Sequence, residues 1–153
     1  SVKGRAVGIG TTMLLHCDLV TANPDTQFSM PFVSLGLVAE GGSSYLFPRL
    51  VGHAKASEIL LTGRTFSADE AKEMGLINLI ANDELSAAMA FANEIAQQPP
   101  NAVINTKALL KSGSHEALNQ VIKAEGVLFK MAAESDEAQL AFMNFLSKKS
   151  KVN

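Results

Sequence analysis

Two consecutive prolines divide the chain. The sequence reads Gln97-Gln98-Pro99-Pro100-Asn101, and a helix does not continue through such a pair, because proline lacks the backbone N–H and its ring clashes with the preceding turn. Before this break short apolar runs alternate with helical patterns, whereas after it apolar residues recur at helical spacing. This organisation predicts an α/β core over residues 1–98 followed by an α-helical segment over residues 99–153.

Glycine and proline mark the ends of the predicted elements. Residues 5–10 are predicted to be the end of a strand that runs into a tight turn, and further strands are predicted near 18–22, 26–30 and 77–81. Helices are predicted near 11–17, 43–51, 53–61, 67–75, 83–97, 102–112, 115–134 and 136–148. Asn101 and either Ser43 or Ser44 are expected to cap helices, and Ser67 with Glu70 matches a capping box. The last helix is apolar over a wide arc, so we expect it to bury against another subunit.

The composition excludes several classes of protein. The 153 residues are 47% hydrophobic and 18% charged, with a net charge of −2, which gives no attraction for nucleic acid or an anionic membrane. One cysteine excludes an internal disulfide, and three separated histidines show no metal-ligand spacing. No apolar run approaches the roughly 20 residues of a membrane span. The sequence therefore predicts no metal site, no nucleic-acid partner and no membrane partner.

Two short stretches are candidates for chemistry. Gly8-Ile9-Gly10 fails as a dinucleotide motif because Met13 replaces the third glycine, but its free N–H groups at a helix start suit an oxyanion. "LVAEGGSSY" at 37–45 places Glu40 between an apolar run and two glycines, and Ser43 there does not match G-x-S-x-G. Glu40 is either a solvated turn residue or a base beside apolar neighbours.

The whole chain resembles the crotonase superfamily of enoyl-CoA hydratases and isomerases. The residues that carry the resemblance are "AVGIGTTMLLHCDLVTA", "TQFSMPFVSLGLVAEGGSSYLFPRLVG", "AKASEILLTGRTFSADEAKEMGLINLI" and "PPNAVINTKALLK". The resemblance implies a crotonase-like ββα spiral core, represented by its C-terminal portion, with an appended helical trimerisation segment. The family's N-terminal half has no counterpart here, and the start "SVKGRAVGIG" is expected to lie inside a larger fold. Homotrimers or hexamers are expected.

The same resemblance implies a site for an acyl-CoA thioester, in which CoA belongs to the substrate and no cofactor is needed. The backbone N–H of Ile9 would contribute to the oxyanion hole, and Gly8, Thr12, Phe32 and Leu35 would line the substrate pocket. The family's hydratases carry two glutamates at the positions of Thr12 and Phe32. "AEGGSSY" instead looks like the motif of peroxisomal-type Δ3,Δ2-enoyl-CoA isomerases, which implies that Glu40 is the catalytic base.

Two other interpretations stay open at this point. One is another crotonase-type reaction on an acyl-CoA, such as hydration, thioester hydrolysis or dehalogenation, and the other is a non-catalytic acyl-CoA-binding subunit. The terminus "SKVN" differs from the Ser-Lys-Leu peroxisomal signal. We therefore expect a bacterial-type cytoplasmic protein, with a peroxisomal or mitochondrial location as the alternative.

Overall fold

The computed structural model describes the backbone of residues 1–149 and the side chains of residues 1–147. The strands are β1 (Arg5–Val7), β2 (Thr21–Ala22), β3 (Gln27–Ser29), β4 (Thr65–Ser67) and β5 (Leu79–Ile80). The α-helices are α1 (Ile9–Thr12), α2 (Ser43–Val51), α3 (His53–Thr62), α4 (Ala68–Glu73), α5 (Glu84–Ala96), α6 (Pro100–Ser112), α7 (His115–Ala133) and α8 (Asp136–Lys149). Single turns of 3-10 helix cover Met13–His16 and Val33–Leu35.

The strands form two small sheets. In the first, β3 lies between β1, with which it pairs in parallel, and β4, with which it pairs antiparallel. In the second, β2 and β5 pair in parallel, and an isolated bridge joins Val2 to Ala22. Parallel neighbours require a crossover connection. The segment from β1 to β3, which contains α1 and β2, makes this connection.

The core lies where the first sheet meets α2, α3 and α4. Phe28 on β3 is the register partner of Phe66 on β4, and their rings stack with centroids 5.6 Å apart. Both side chains are buried, as is Phe47 on α2. These large apolar side chains exclude water from the sheet face and hold the helices against it.

Most of the predicted helices are confirmed. The sequence patterns located α2 and α3 to within a residue, and they located α5, α7 and α8 to within two. Pro48 lies inside α2 without ending it, and Gly52 adopts positive φ where α2 stops. The short strand β4 was not predicted, because three residues are too few to establish an alternating pattern.

Three local predictions are wrong in part. The helix expected at 11–17 begins instead at Ile9 and changes to 3-10 geometry at Met13, which is largely exposed. Asn101 is not a cap, because Pro100 already occupies the first turn of α6, where its fixed φ suits the helix. Ser67 does accept a hydrogen bond from the amide of Glu70, but the Glu70 carboxylate pairs with the guanidinium of Arg64 rather than completing a capping box.

The C-terminal helices pack partly on the core and partly face outward. Lys107 and Lys111 of α6 pair with Asp18, and the hydrogen bond from Lys107 is the main cause that lowers the pKa of this exposed carboxyl. Ala138 of α8 is buried against Gly36. Large apolar side chains on these helices stay exposed, among them Ile104, Leu109, Leu110, Met131, Leu140, Phe142, Met143, Phe145 and Leu146.

Helix α5 ends at Ala96 and α6 begins at Pro100, on either side of the predicted boundary. The division into a core over 1–98 and an oligomerisation segment over 99–153 stays a prediction, and its last four residues lie outside the described residues. No helix within residues 1–149 combines the length and the hydropathy needed to span a bilayer.

Replacing Phe28 tests the importance of the stacked pair. Phe28→Ala should lower the free energy of unfolding by about 3–5 kcal/mol, because it leaves a cavity against Phe66. Leu61→Ala is the control, since Leu61 is 72% exposed on α3, and it should change that free energy by no more than about 0.5 kcal/mol. Urea denaturation followed by circular dichroism measures both, and equal effects would contradict this account of the core.

Candidate active site

A glycine turn connects β1 to α1. Gly8 adopts φ 57° and ψ −120°, a conformation that suits glycine, and its amide donates to the carbonyl of Ser29 on β3 at 2.9 Å. Its own carbonyl accepts hydrogen bonds from the amides of Thr11 and Thr12. The hydroxyl of Thr11 donates to the carbonyls of Ala6 and Ser29, at 2.7 and 3.1 Å. Hydrogen bonds therefore join the start of α1 to both β1 and β3.

The amide of Ile9 has no acceptor among the residues that the structure describes. It lies in the first turn of α1, where the helix offers no carbonyl four residues earlier. Among the described residues, no hydrogen bond from this amide is present. Ile9 as a whole residue is 59% exposed. This N–H is consequently available to a negatively charged oxygen, and the oxyanion role that the resemblance implies for it stays a prediction.

A second glycine turn carries Glu40 into α2. Gly41 and Gly42 both have positive φ, at 66° and 74°, so the chain reverses direction immediately after Glu40. The carbonyl of Glu40 accepts hydrogen bonds from the amide and the hydroxyl of Ser43, at 3.2 and 2.7 Å. The ring Nε2 of His16 donates to the carbonyl of Gly41 at 2.6 Å. The backbone on both sides of Gly41 is thus fixed.

The two turns meet through Thr12 and Glu40. The buried hydroxyl of Thr12 donates to Oε1 of Glu40 at 2.8 Å. A Cβ atom on Gly41 would lie 3.0 Å from that hydroxyl oxygen, so only glycine allows this close approach without displacement. Oε2 of Glu40 accepts no hydrogen bond from the described residues. One carboxylate oxygen is therefore held by the protein while the other remains available.

Glu40 borders a cavity of about 470 Å³. The other residues that line it are Ile9, Phe32, Gly41, Ile122, Gly126 and Phe129. The walls are mostly apolar, and Glu40 is the one ionisable side chain that lines the cavity within the described part of the chain. Apolar walls with a single placed polar group are typical of a small-molecule site.

The predicted pocket residues fall in three places. Phe32 lines the cavity, Gly8 lies beside the Phe32 ring, and Thr12 reaches the site through its hydrogen bond to Glu40. Leu35 instead borders a different cavity, which it shares with Val7 and with Phe145 of α8. The structure therefore brings the first three together with Glu40 and Ile9, and it places Leu35 elsewhere.

One side of the cavity was missed by the sequence analysis. Ile122, Gly126 and Phe129 project from a single face of α7, four and three residues apart. On the same face the carboxylate of Glu125 is buried and accepts hydrogen bonds from Gly42 and Ser44. A charged residue within an apolar helical face was the available signal, because charged side chains are rarely buried without a partner.

The expected serine cap of α2 is wrong. The N-cap residue is Gly42, and no side chain within the turn caps the helix. The hydroxyl of Ser43 donates back to the carbonyl of Glu40, while the hydroxyl of Ser44 donates to Glu125 at 2.6 Å. The first amides of α2 are satisfied by a carboxylate from α7 instead.

No metal-binding cluster accompanies these groups. Within residues 1–149, no set of three or more histidine, cysteine, aspartate or glutamate side chains is arranged to hold a metal ion. The site described here offers one carboxylate, one unpaired amide and an apolar wall. Such a set can accept and return a proton and can stabilise an oxyanion.

Known proteins place this chain in one family. Residues 1–152 match the family described as enoyl-CoA hydratase/isomerase. The chain is 37% identical over 158 residues to human enoyl-CoA delta isomerase 2, an alignment that covers 99% of this chain and 39% of that protein. It is 28% identical over 151 residues to the 2,3-dehydroadipyl-CoA hydratase of Escherichia coli K12, covering 97% of this chain and 59% of that protein.

The fold agrees with this assignment. A crystal structure of an enoyl-CoA hydratase/isomerase from Pseudoalteromonas atlantica T6c superposes with a TM-score of 0.91 at 37% identity, covering 95% of this chain and 59% of that chain. The chain therefore spans between 39% and 59% of the length of these relatives. Because both the family match and the fold extend over nearly all of its residues, the chain belongs to the enoyl-CoA hydratase/isomerase family of the crotonase superfamily.

Proposed function

We propose that the whole protein is a Δ3,Δ2-enoyl-CoA isomerase, which moves the double bond of a 3-enoyl-CoA to the 2-trans position in fatty-acid β-oxidation. The observation that carries the proposal is the single carboxylate of the cavity, Glu40, with one oxygen held by Thr12 and the other available. The similarity to human enoyl-CoA delta isomerase 2 supports the same activity.

In the proposed reaction Glu40 removes a proton from C2 of the substrate. The electrons of the broken C–H bond form a C1–C2 double bond, and the negative charge moves to the thioester oxygen. The amide of Ile9 would donate a hydrogen bond to this oxygen, where an aligned N–H stabilises the developing charge. The charge on the oxygen then restores the thioester carbonyl, and the electrons of the C1–C2 double bond form the new C2–C3 double bond. The electrons of the old C3–C4 double bond bind the proton that Glu40 returns to C4. One base is sufficient because the proton is returned.

Hydration requires more from the protein than this site offers. Adding water across the double bond needs one group to activate the water and another to handle the second proton. The resemblance places the two hydratase glutamates at positions 12 and 32. Here Thr12 donates its hydroxyl hydrogen bond to Glu40, and Phe32 is apolar and buried. Hydration, thioester hydrolysis and non-catalytic binding of acyl-CoA therefore remain as outcomes of the test rather than as a second proposal.

The proposal extends to partners and location. The substrate is an acyl-CoA thioester, so no separate cofactor is required. We propose a homotrimer or hexamer, which the exposed apolar side chains of α6, α7 and α8 support because association would bury them. We also propose a cytoplasmic location.

Replacing Glu40 tests the base directly. Glu40→Gln in the whole protein should lower kcat by about 10²–10⁴-fold, because the amide does not accept the C2 proton. Absorbance of the conjugated product measures turnover of a 3-enoyl-CoA panel, and calorimetry measures acyl-CoA binding, which should be preserved. Glu73→Gln on α4, an exposed glutamate, is the matched control and should retain parental kcat. Isomerisation at near-parental rate by Glu40→Gln, or hydration or free CoA as the main product, would contradict the proposal.

Replacing Thr12 tests the hydrogen bond that holds the base. Thr12→Val keeps the branched shape but removes the hydroxyl that donates to Glu40 at 2.8 Å. The kcat should fall by about 10-fold, the scale expected from loss of a hydrogen bond to a charged group. Thr12→Ser restores the donor and should recover most of that loss. Equal kcat values for the valine and serine variants in steady-state assays would show that this hydrogen bond does not orient the base.

A further inference from the structure

A buried carboxylate lies behind the turn that carries Glu40. Glu125, in the middle of α7, is only 6% exposed. Its Oε2 accepts a hydrogen bond from the amide of Gly42 at 2.6 Å, and its Oε1 accepts from the amide and hydroxyl of Ser44 at 3.0 and 2.6 Å. No lysine or arginine among the described residues pairs with it. Its partners are therefore all at the start of α2.

The contact satisfies groups that the turn itself leaves open. The first amides of a helix have no acceptor within the helix. In α2 the N-cap residue is Gly42, which has no side chain to supply one. A carboxylate has two acceptor oxygens on one planar group, and it is favoured at the positive end of a helix. Glu125 binds both Gly42 and Ser44 from 83 and 81 residues away in the sequence.

The same helix forms the wall of the cavity that faces Glu40. Ile122, Gly126 and Phe129 line the cavity, and Glu125 lies between them in the sequence. The backbone of Gly42 is in direct contact with this helix, since a Cβ atom there would come within 2.5 Å of a methyl carbon of Leu118. The hydrogen bonds of Glu125 consequently fix the distance between the cavity wall and the turn that bears the base.

The turn has anchors in addition to the hydrogen bond from His16 to the carbonyl of Gly41. Gly41 and Gly42 both adopt positive φ, and glycine has the widest backbone freedom of any residue. On one side Thr12 holds the Glu40 carboxylate, and on the other side Glu125 holds the amides that follow it. A base that takes a proton at one carbon and returns it at another must keep its position through both steps, because small displacements reduce the rate steeply.

We propose that Glu125 is a positioning residue for Glu40: it holds the Gly41–Gly42 turn so that the Glu40 carboxylate stays aligned with the substrate. This inference rests on the proposed isomerase function. Glu125 does not line the cavity, so it acts through Glu40 and does not touch the substrate. The competing explanation is that Glu125 only attaches α7 to α2.

A double-mutant cycle in the whole protein separates these explanations. Glu125→Gln keeps the side-chain volume but places an NH₂ group opposite one of the backbone donors. It should lower kcat by about 10-fold or more with KM changed by less than about 2-fold. In a Glu40→Gln background the same substitution should cause no further loss, because its effect passes through Glu40. Glu116→Gln, an exposed glutamate on the same helix, is the control and should match the parent.

A milder variant and a second measurement cover the case in which Glu125→Gln does not fold. Ser44→Ala removes only the hydroxyl bond to Glu125 and should lower kcat by about 3-fold at unchanged KM. Hydrogen exchange followed by mass spectrometry, which needs no turnover, should show faster exchange in the peptide covering residues 40–46 of either variant. Peptides of α7 should keep parental protection.

The outcomes distinguish this inference from the proposed function. If Glu40→Gln retains isomerase activity, the proposed function is wrong. If Glu40→Gln is inactive but Glu125→Gln and Ser44→Ala both keep parental kcat, Glu125 does not position the base. The same conclusion follows if Glu125→Gln still lowers kcat in the Glu40→Gln background. Loss of protection in α7 equal to that in residues 40–46 would show that Glu125 merely docks the helix, and would also overturn the inference.

Discussion

The site depends on one hydrogen bond that joins two glycine turns. Thr12 at the end of α1 donates to Glu40 ahead of α2. Gly41 favours this close approach, because a Cβ atom there would lie 3.0 Å from the Thr12 hydroxyl oxygen. The first turn is fixed by its bonds to β1 and β3, and the second by its bonds to α2 and α7. The sheet, through the parallel pairing of β1 with β3, therefore sets where the carboxylate lies.

Local patterns predicted much of the fold, whereas the candidate residues of the site came from the resemblance to a known family. Glycine stops and apolar periodicity located α2, α3 and α5 closely, since helix ends depend on residues near in sequence. The roles expected of Glu40 and of the Ile9 amide came from the resemblance to the crotonase superfamily, since the local pattern alone left Glu40 open between a turn residue and a base. The structure places both beside one cavity, although their roles in catalysis stay proposals.

The features of the site that the sequence did not predict depend on contacts between residues far apart in the chain. The serine cap of α2 was a sound local expectation, but the Ser43 hydroxyl binds the Glu40 carbonyl, and a carboxylate from α7 supplies the acceptor for the helix amides. No local pattern reports a partner 81 residues away. Leu35 was expected at the substrate, but Gly36 in the left-handed region turns the chain beyond it, and Leu35 borders the cavity next to α8.

The buried carboxylate of Glu125 serves the start of α2. Removing a carboxylate from water is costly, and the three hydrogen bonds that Glu125 accepts offset this cost. An apolar side chain of the same size would avoid the desolvation cost but would leave the amides of Gly42 and Ser44 without an acceptor. A carboxylate satisfies both with one rigid group. Under the proposed positioning role, Glu125 adds two fixed points, the amides of Gly42 and Ser44, to the contact that His16 makes with the carbonyl of Gly41.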